Sequence, residues 1–162
     1  MRFTRAAALA VGLTTLGSTS PAPAHASGWT NRQDRVERSI ISRLNAIRAQ
    51  SGIRRLRFSR GLERAADAQS SAIAGGAGFA HGDVRGRVSR FVHATSIGET
   101  LAWVSPEEGS NPDAVVGAWM ASPTHRATLL SAQFSRIGIA RRRGTVAGRA
   151  AVVFTVDVAS AR

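Results

Sequence analysis

The sequence predicts an α+β domain, and three observations carry that prediction. Apolar residues recur at helical spacing in three separate stretches: Val36, Ile40, Ile41, Leu44 and Ile47; Leu62, Ala65, Ala66 and Ile73; Val115, Val116, Trp119 and Met120. Two later stretches, Arg136 to Ala140 and Ala150 to Val158, read as strands, the second Val-rich and alternating around Phe154. Helices first and strands last is the order of a layered α+β fold. A composition of 43% hydrophobic and 20% charged residues is that of a chain with a packed core.

Each element has its punctuation. The first helix begins near Gln33 and stops at Gly52; Arg35, Arg38, Arg43 and Arg48 fall mostly on its wet side. Ile53 to Phe58 is an extended connector in which Leu56 and Phe58 alternate with arginines. Ser59 caps a second helix carrying Gln69 on its apolar face, and Gly75-Gly76 end it. Gly75 to Ser96 is the least regular stretch. Ile97 to Val104 reads as a short apolar strand or a turn of helix holding Glu99. Asn111 and Pro112 open the third helix, and Ser122-Pro123 restart the chain with Leu129 and Leu130 as anchors. Arg141 to Arg149, with Gly144 and Gly148, reads as the hairpin loop between the two strands.

The N-terminus reads as a secretory signal. Arg2 and Arg5 precede an apolar run from Ala6 to Leu16, and Ala24-His25-Ala26 is a small-x-small cleavage site. The run is too short to span a bilayer. The expected organisation is a signal peptide over 1–26, a short lead over 27–35 and one domain over 36–162. Cleavage after Ala26 removes two arginines and no acid, so the net charge falls from +12 to +10. The expected destination is extracellular or periplasmic, with no transmembrane segment in the mature chain.

Composition excludes several chemistries. The chain has no Cys, which rules out disulfides, thiolate metal sites and a Cys nucleophile. All 22 basic residues are Arg, so Schiff-base and P-loop lysines are excluded as well.

Three histidines follow the signal, at His81, His93 and His125. If Ser122 caps a helix, His125 falls in its first turn, where the helix dipole lowers an imidazole's pKa and favours the neutral, ligating ring. Glu99 sits in an apolar setting where an acid needs a partner. His81, Glu99 and His125 are the candidate site: two imidazoles and a carboxylate that could close on one ion or one water. The separations match no local zinc pattern, so the same residues also admit an ordinary reading as a loop His, a capping His and a Glu bonded to backbone amides. Ser122 is read as a cap rather than a nucleophile, Trp119 as core, and Arg126 as support for the His125 turn or partner to an acid.

Ordered motifs weigh these alternatives. Leu44-Asn45-Ala46-Ile47-Arg48 with Leu56, Leu62 and Ala65 is followed by His81, by Gly98-Glu99-Thr100-Leu101-Ala102, by Trp119-Met120-Ala121-Ser122-Pro123-Thr124-His125-Arg126, and by Phe134-Ser135-Arg136-Ile137-Gly138. In this order, from about Val36 to Val158, the chain resembles the CAP superfamily of cysteine-rich secretory, antigen-five and pathogenesis-related proteins. The absence of Cys fits its bacterial branch, the SCP domain.

The resemblance implies an α-β-α sandwich with a solvent-facing cavity lined by His81, Glu99 and His125. It implies a secreted binding protein holding a small ligand or a divalent cation such as zinc on His81 and His125. The superfamily carries no single reaction, so no enzyme activity is assigned. A metal-dependent hydrolase with Glu99 as base is the second reading. Against it, the family's further Glu shortly after the first His is absent; Asp83 is the one acid within Gly82 to Gly86, and it is not at the usual offset. Thr100 replaces the motif's Asn. A third reading takes the arginine clusters Arg54-Arg55-x-Arg57 and Arg141-Arg142-Arg143 as contacts for anionic lipid or cell-wall polymer. Few aromatics and no Tyr argue against nucleic acid.

Overall fold

The computed structural model describes residues 35–161. The expected signal peptide, its cleavage site and all but the last residue of the 27–35 lead lie outside the described residues. The order of elements is α1 (Arg35–Gln50), β1 (Arg57–Phe58), α2 (Arg60–Ala74), α3 (Val84–Ser89), β2 (Ile97–Val104), a 3-10 turn at Glu108–Ser110, α4 (Pro112–Ala121), α5 (Pro123–Leu129), β3 (Arg136–Val146) and β4 (Arg149–Ala159). One four-stranded sheet runs β1-β3-β4-β2. β1 lies parallel to β3, and β4 is antiparallel to both of its neighbours.

The sheet is the middle layer, and strand periodicity sorts its side chains. Val152, Phe154, Val156 and Val158 of β4 pack with Ile40 and Leu44 of α1, Val115, Val116 and Trp119 of α4, and Leu129 of α5. The alternate residues turn to the other side, where α2 and α3 lie: Ala151 and Val153 with Ile73, Ala159 with Leu62, Ala65 and Val88. β4 is therefore buried on both faces from Ala151 to Ala159. The result is the expected α-β-α sandwich.

α2 crosses β3 unusually closely, and two glycines permit it. A Cβ at Gly138 would overlap the Leu62–Glu63 backbone, and one at Gly144 would overlap Ala74. These contacts fall at opposite ends of α2, so the helix is seated along its whole length.

Several local expectations change. Arg48 is fully buried rather than solvent-facing. Its Nε donates to Arg54 O at 2.9 Å, its Nη1 to Leu129 O at 2.7 Å and Ser131 O at 3.1 Å, and its Nη2 to Phe134 O at 3.1 Å. Carbonyls alone, with no carboxylate, satisfy this cation. The segment after α2 contains α3, whose start is capped by Asp83, with Gly86 N donating to Asp83 Oδ1 at 2.8 Å. The Arg141–Arg149 loop is mostly strand: β3 continues to Val146, and the turn is two residues, Ala147 and Gly148, both at positive φ (50° and 76°). Ser122 holds the position before α5, but its side chain makes no capping bond. Ile97 to Val104 is a strand, not a helical turn.

Candidate functional site

β2 is an edge strand, and Glu99 lies on it directly opposite Asp157 of β4. Both belong to the strand faces turned toward α2 and α3. Around this pair the sequence builds a polar cluster inside an otherwise apolar layer.

Its parts come from four elements and one loop. Gln69, on the buried face of α2, donates from Nε2 to Ala80 O at 2.6 Å and accepts from Arg87 Nη1 at 2.8 Å. Arg87 comes from α3, anchored by its buried neighbour Val88. Its Nη1 also donates to His81 O at 3.2 Å, so Gln69 and Arg87 together fix the loop bearing His81. Arg87 Nη2 forms an ion pair with Glu99 Oε2 and lies 3.5 Å from Asp157 Oδ1. The remaining oxygen of Glu99, Oε1, meets His81 Nδ1 at 2.7 Å. The Glu99 side chain is 1% exposed and that of His81 56%, so a buried carboxylate holds an accessible imidazole.

Burial pushes both carboxyls up, Glu99 to about 7 and Asp157 to about 8; the charge of Glu99 adds to the rise at Asp157, and Arg87 opposes it at both. Two buried carboxylates this close do not both ionise readily. Glu99 faces two donors, His81 and Arg87, and so keeps the charge, while the proton rests on Asp157. Asp157 Oδ2 has no hydrogen-bond partner. Arg87 Nε is also without a partner.

His125 stands in the first turn of α5, half-buried. Its pKa is lowered, by burial first and by repulsion from His81 second. The direction matches the expectation; the causes are burial and a second histidine rather than the helix start. His93 is exposed and apart, its carbonyl accepting from Arg136 Nη2 at 3.0 Å.

The structure thus ties His81 to Glu99, and His125 feels the charge of His81. Both oxygens of Glu99 are engaged by protein. Among the described residues no group of three or more His, Asp or Glu side chains is arranged to hold a metal ion. Asp83, the acid nearest the missing Glu, is a helix cap. The sequence reading missed Arg87, Gln69 and Asp157. Asp157 had a signal: an acid in the middle of a Val-rich strand, Val156-Asp157-Val158, is as anomalous as Glu99. Met120, Ala121, Pro123, Arg126, Ala127 and Leu130 line an open groove of about 420 Å³, and none of His81, Glu99 and His125 is among its lining. Arg126 is exposed on that groove and pairs with no acid among the described residues.

A sheet sandwiched between helices, with an edge carboxylate holding an exposed imidazole, defines a class of α-β-α sandwich domains. The sequence pattern of the cysteine-rich secretory protein family, CAP, matches residues 41–158, and the chain belongs to that family. No similar sequence emerges among curated proteins. The fold is shared with an extracellular SCP-domain protein from Bacillus anthracis, at 22% identity and a TM-score of 0.63, over 76% of this chain and 40% of that one. It is also shared with an outer surface protein of Borrelia burgdorferi, at 19% identity and a TM-score of 0.64, over 78% and 93% of the two chains. A venom allergen-like protein of Schistosoma mansoni matches at 12% identity and a TM-score of 0.58, over 80% and 92%. The chain spans well under half of the Bacillus protein.

Proposed function

We propose that this is an exported binding domain whose ligand is received by the imidazoles of His81 and His125. The observation that carries the reading is the His81–Glu99 hydrogen bond. It commits Nδ1 of His81 to the buried carboxylate and leaves Nε2 for a ligand, the arrangement by which carboxylates orient metal-binding histidines. A divalent cation of the zinc class, held by the two imidazoles with its other positions left to ligand or solvent, fits this donor set. A small polar ligand bonded to the same ring nitrogens fits as well. Glu99 acts here as a holder. A hydrolytic role, with Glu99 as base, requires an oxygen that His81 and Arg87 already occupy.

Export is supported by the N-terminal pattern at Arg2, Arg5 and Ala6 to Leu16. It is supported also by the extracellular and outer-surface settings of the Bacillus and Borrelia proteins. No helix among the described residues is long and apolar enough to cross a membrane.

Thermal unfolding with and without zinc tests the site. A ligand at 100 times its Kd stabilises the fold by about 2.7 kcal/mol, so zinc should raise the melting temperature by several degrees. The rise should vanish in His81→Ala and in His125→Ala. A melting temperature indifferent to excess zinc removes the cation and leaves the small polar ligand.

A further inference from the structure

β2 is an edge of the sheet, and its neighbouring residues Gly98 and Glu99 point to opposite faces. Glu99 faces α2 and α3 and holds His81 from that side. Gly98 faces the other layer, beside its register partner Val158 of β4. There it meets α5. A Cβ on Gly98 would lie 2.9 Å from Thr128 Cγ2 and 3.0 and 3.1 Å from two ring carbons of Phe134. The φ of Gly98 is not positive, so this position requires space and not a special backbone.

Neither neighbour yields easily. Thr128 is β-branched, and its Oγ1 donates to Thr124 O at 3.2 Å. Phe134 is 4% exposed, and its carbonyl accepts from Arg48. The bare backbone at Gly98 is therefore the seat of α5 on β2. His125 rides on that seat: it lies three residues before Thr128, so the two side chains share a helix face. The far end of α5 is tied separately, by Arg48 Nη1 donating to Leu129 O at 2.7 Å. With that end tied, the contact at Gly98 sets how closely the rest of the helix approaches the sheet edge. Burial first and the charge of His81 second lower the pKa of His125, so the two rings already sense each other.

We propose that Gly98 and Glu99 together gauge the gap between the two imidazoles from one point on the sheet edge: Glu99 places His81, and Gly98 is the positioning residue for His125. A side chain at 98 lifts α5, and His125 with it, from the strand to which His81 is held. It acts through Thr128 and Phe134, the neighbours it would meet first. The inference rests on the two-imidazole site proposed above.

The chain has no Cys, so an introduced cysteine pair reads the gap without any ligand. In His81→Cys/His125→Cys, Gln69 and Arg87 still hold the loop through the backbone carbonyls of residues 80 and 81. A short bifunctional thiol reagent should join this pair. Adding Gly98→Val should slow the joining about tenfold, as a misplacement of about 1 Å does for other positioned groups. Gly98→Ala should slow it less, and Thr128→Ser, which removes the obstructing methyl and keeps the hydroxyl, should restore the rate. This milder pair carries the test if Gly98→Val does not fold. Val104→Ala, a truncation on the same face of β2, should lower the melting temperature and leave the joining rate unchanged. On the native imidazoles, Gly98→Val should weaken zinc about 10–100-fold, and adding His125→Ala should weaken it no further. Equal joining rates with and without the change at Gly98 would overturn the proposal. An equal slowing by Val104→Ala would reduce the effect to a looser fold and overturn it too. A parent pair that does not join would overturn both the gauge and the two-imidazole site. Joining that slows with Gly98→Val, in a protein whose wild type ignores zinc, would uphold the gauge and remove only the cation.

Discussion

Asp157 and Glu99 face each other across β2 and β4, and their burial makes stability depend on pH in a definite direction. A carboxyl near 3.9 in the unfolded chain and about 8 in the fold holds its proton more tightly when folded. Its contribution is full below about pH 4 and is lost as the pH rises toward 8. Urea midpoints of the wild type should therefore fall between pH 5 and pH 8. In Asp157→Asn, which keeps the neutral shape and removes the titration, the fall should be shallower. Arg87 is the opposing cation of the pair, with its side chain 11% exposed. Arg87→Met leaves two acids without it and should cost about 3–5 kcal/mol, the usual penalty for breaking a buried ion pair from one side; chemical denaturation measures this. At this scale the sequence was half legible. Glu99 and His81 stood out through motif and setting. Arg87 did not, because nothing local distinguishes an arginine that turns inward from the many that stay in water.

Arg48 makes the same point for an element. α1 shows an apolar stripe, yet the residue that fastens its end is a charged one, bonded to four carbonyls drawn from the connector, from the end of α5 and from the segment joining α5 to β3. Periodicity assigns such a position to solvent, and only the tertiary arrangement of the carbonyls reverses that. Arg48→Met orphans buried acceptors and should destabilise by about 3 kcal/mol, read as a lower urea midpoint. The seating of α2 on β3 depends on the missing side chain of Gly138. Gly138→Ala should cost about 3 kcal/mol through overpacking, detectable by the same titration. Where elements were marked by caps and periodicity, as in α2 and α4, the reading and the structure agree. Where a boundary depended on pairing, as with β3 running on through Arg141 to Val146, composition misled: a Gly- and Arg-rich stretch resembles a loop until a partner strand supplies its hydrogen bonds.

For the whole molecule, the layered fold was legible because helix order, strand order and the Trp119-to-Arg126 motif agreed. The second carboxyl of the site was not, since Glu99 and Asp157 are separated by most of the C-terminal half of the chain and meet only through strand register. Without cysteine, the fold rests on packing and buried polar bonds. Its melting temperature should be the same with and without a reducing agent, unlike that of a disulfide-stapled secreted domain.

The position of β4 has a kinetic consequence. The strand at the heart of the sheet is the last element among the described residues. Every helix made before it must wait for residues 149–159 before its apolar face can be closed off, and β2 must hold open an edge some fifty residues in the meantime. Contacts this distant in sequence make for slow folding. A ribosome pausing before Arg149 leaves behind several amphipathic helices without the central strand they share.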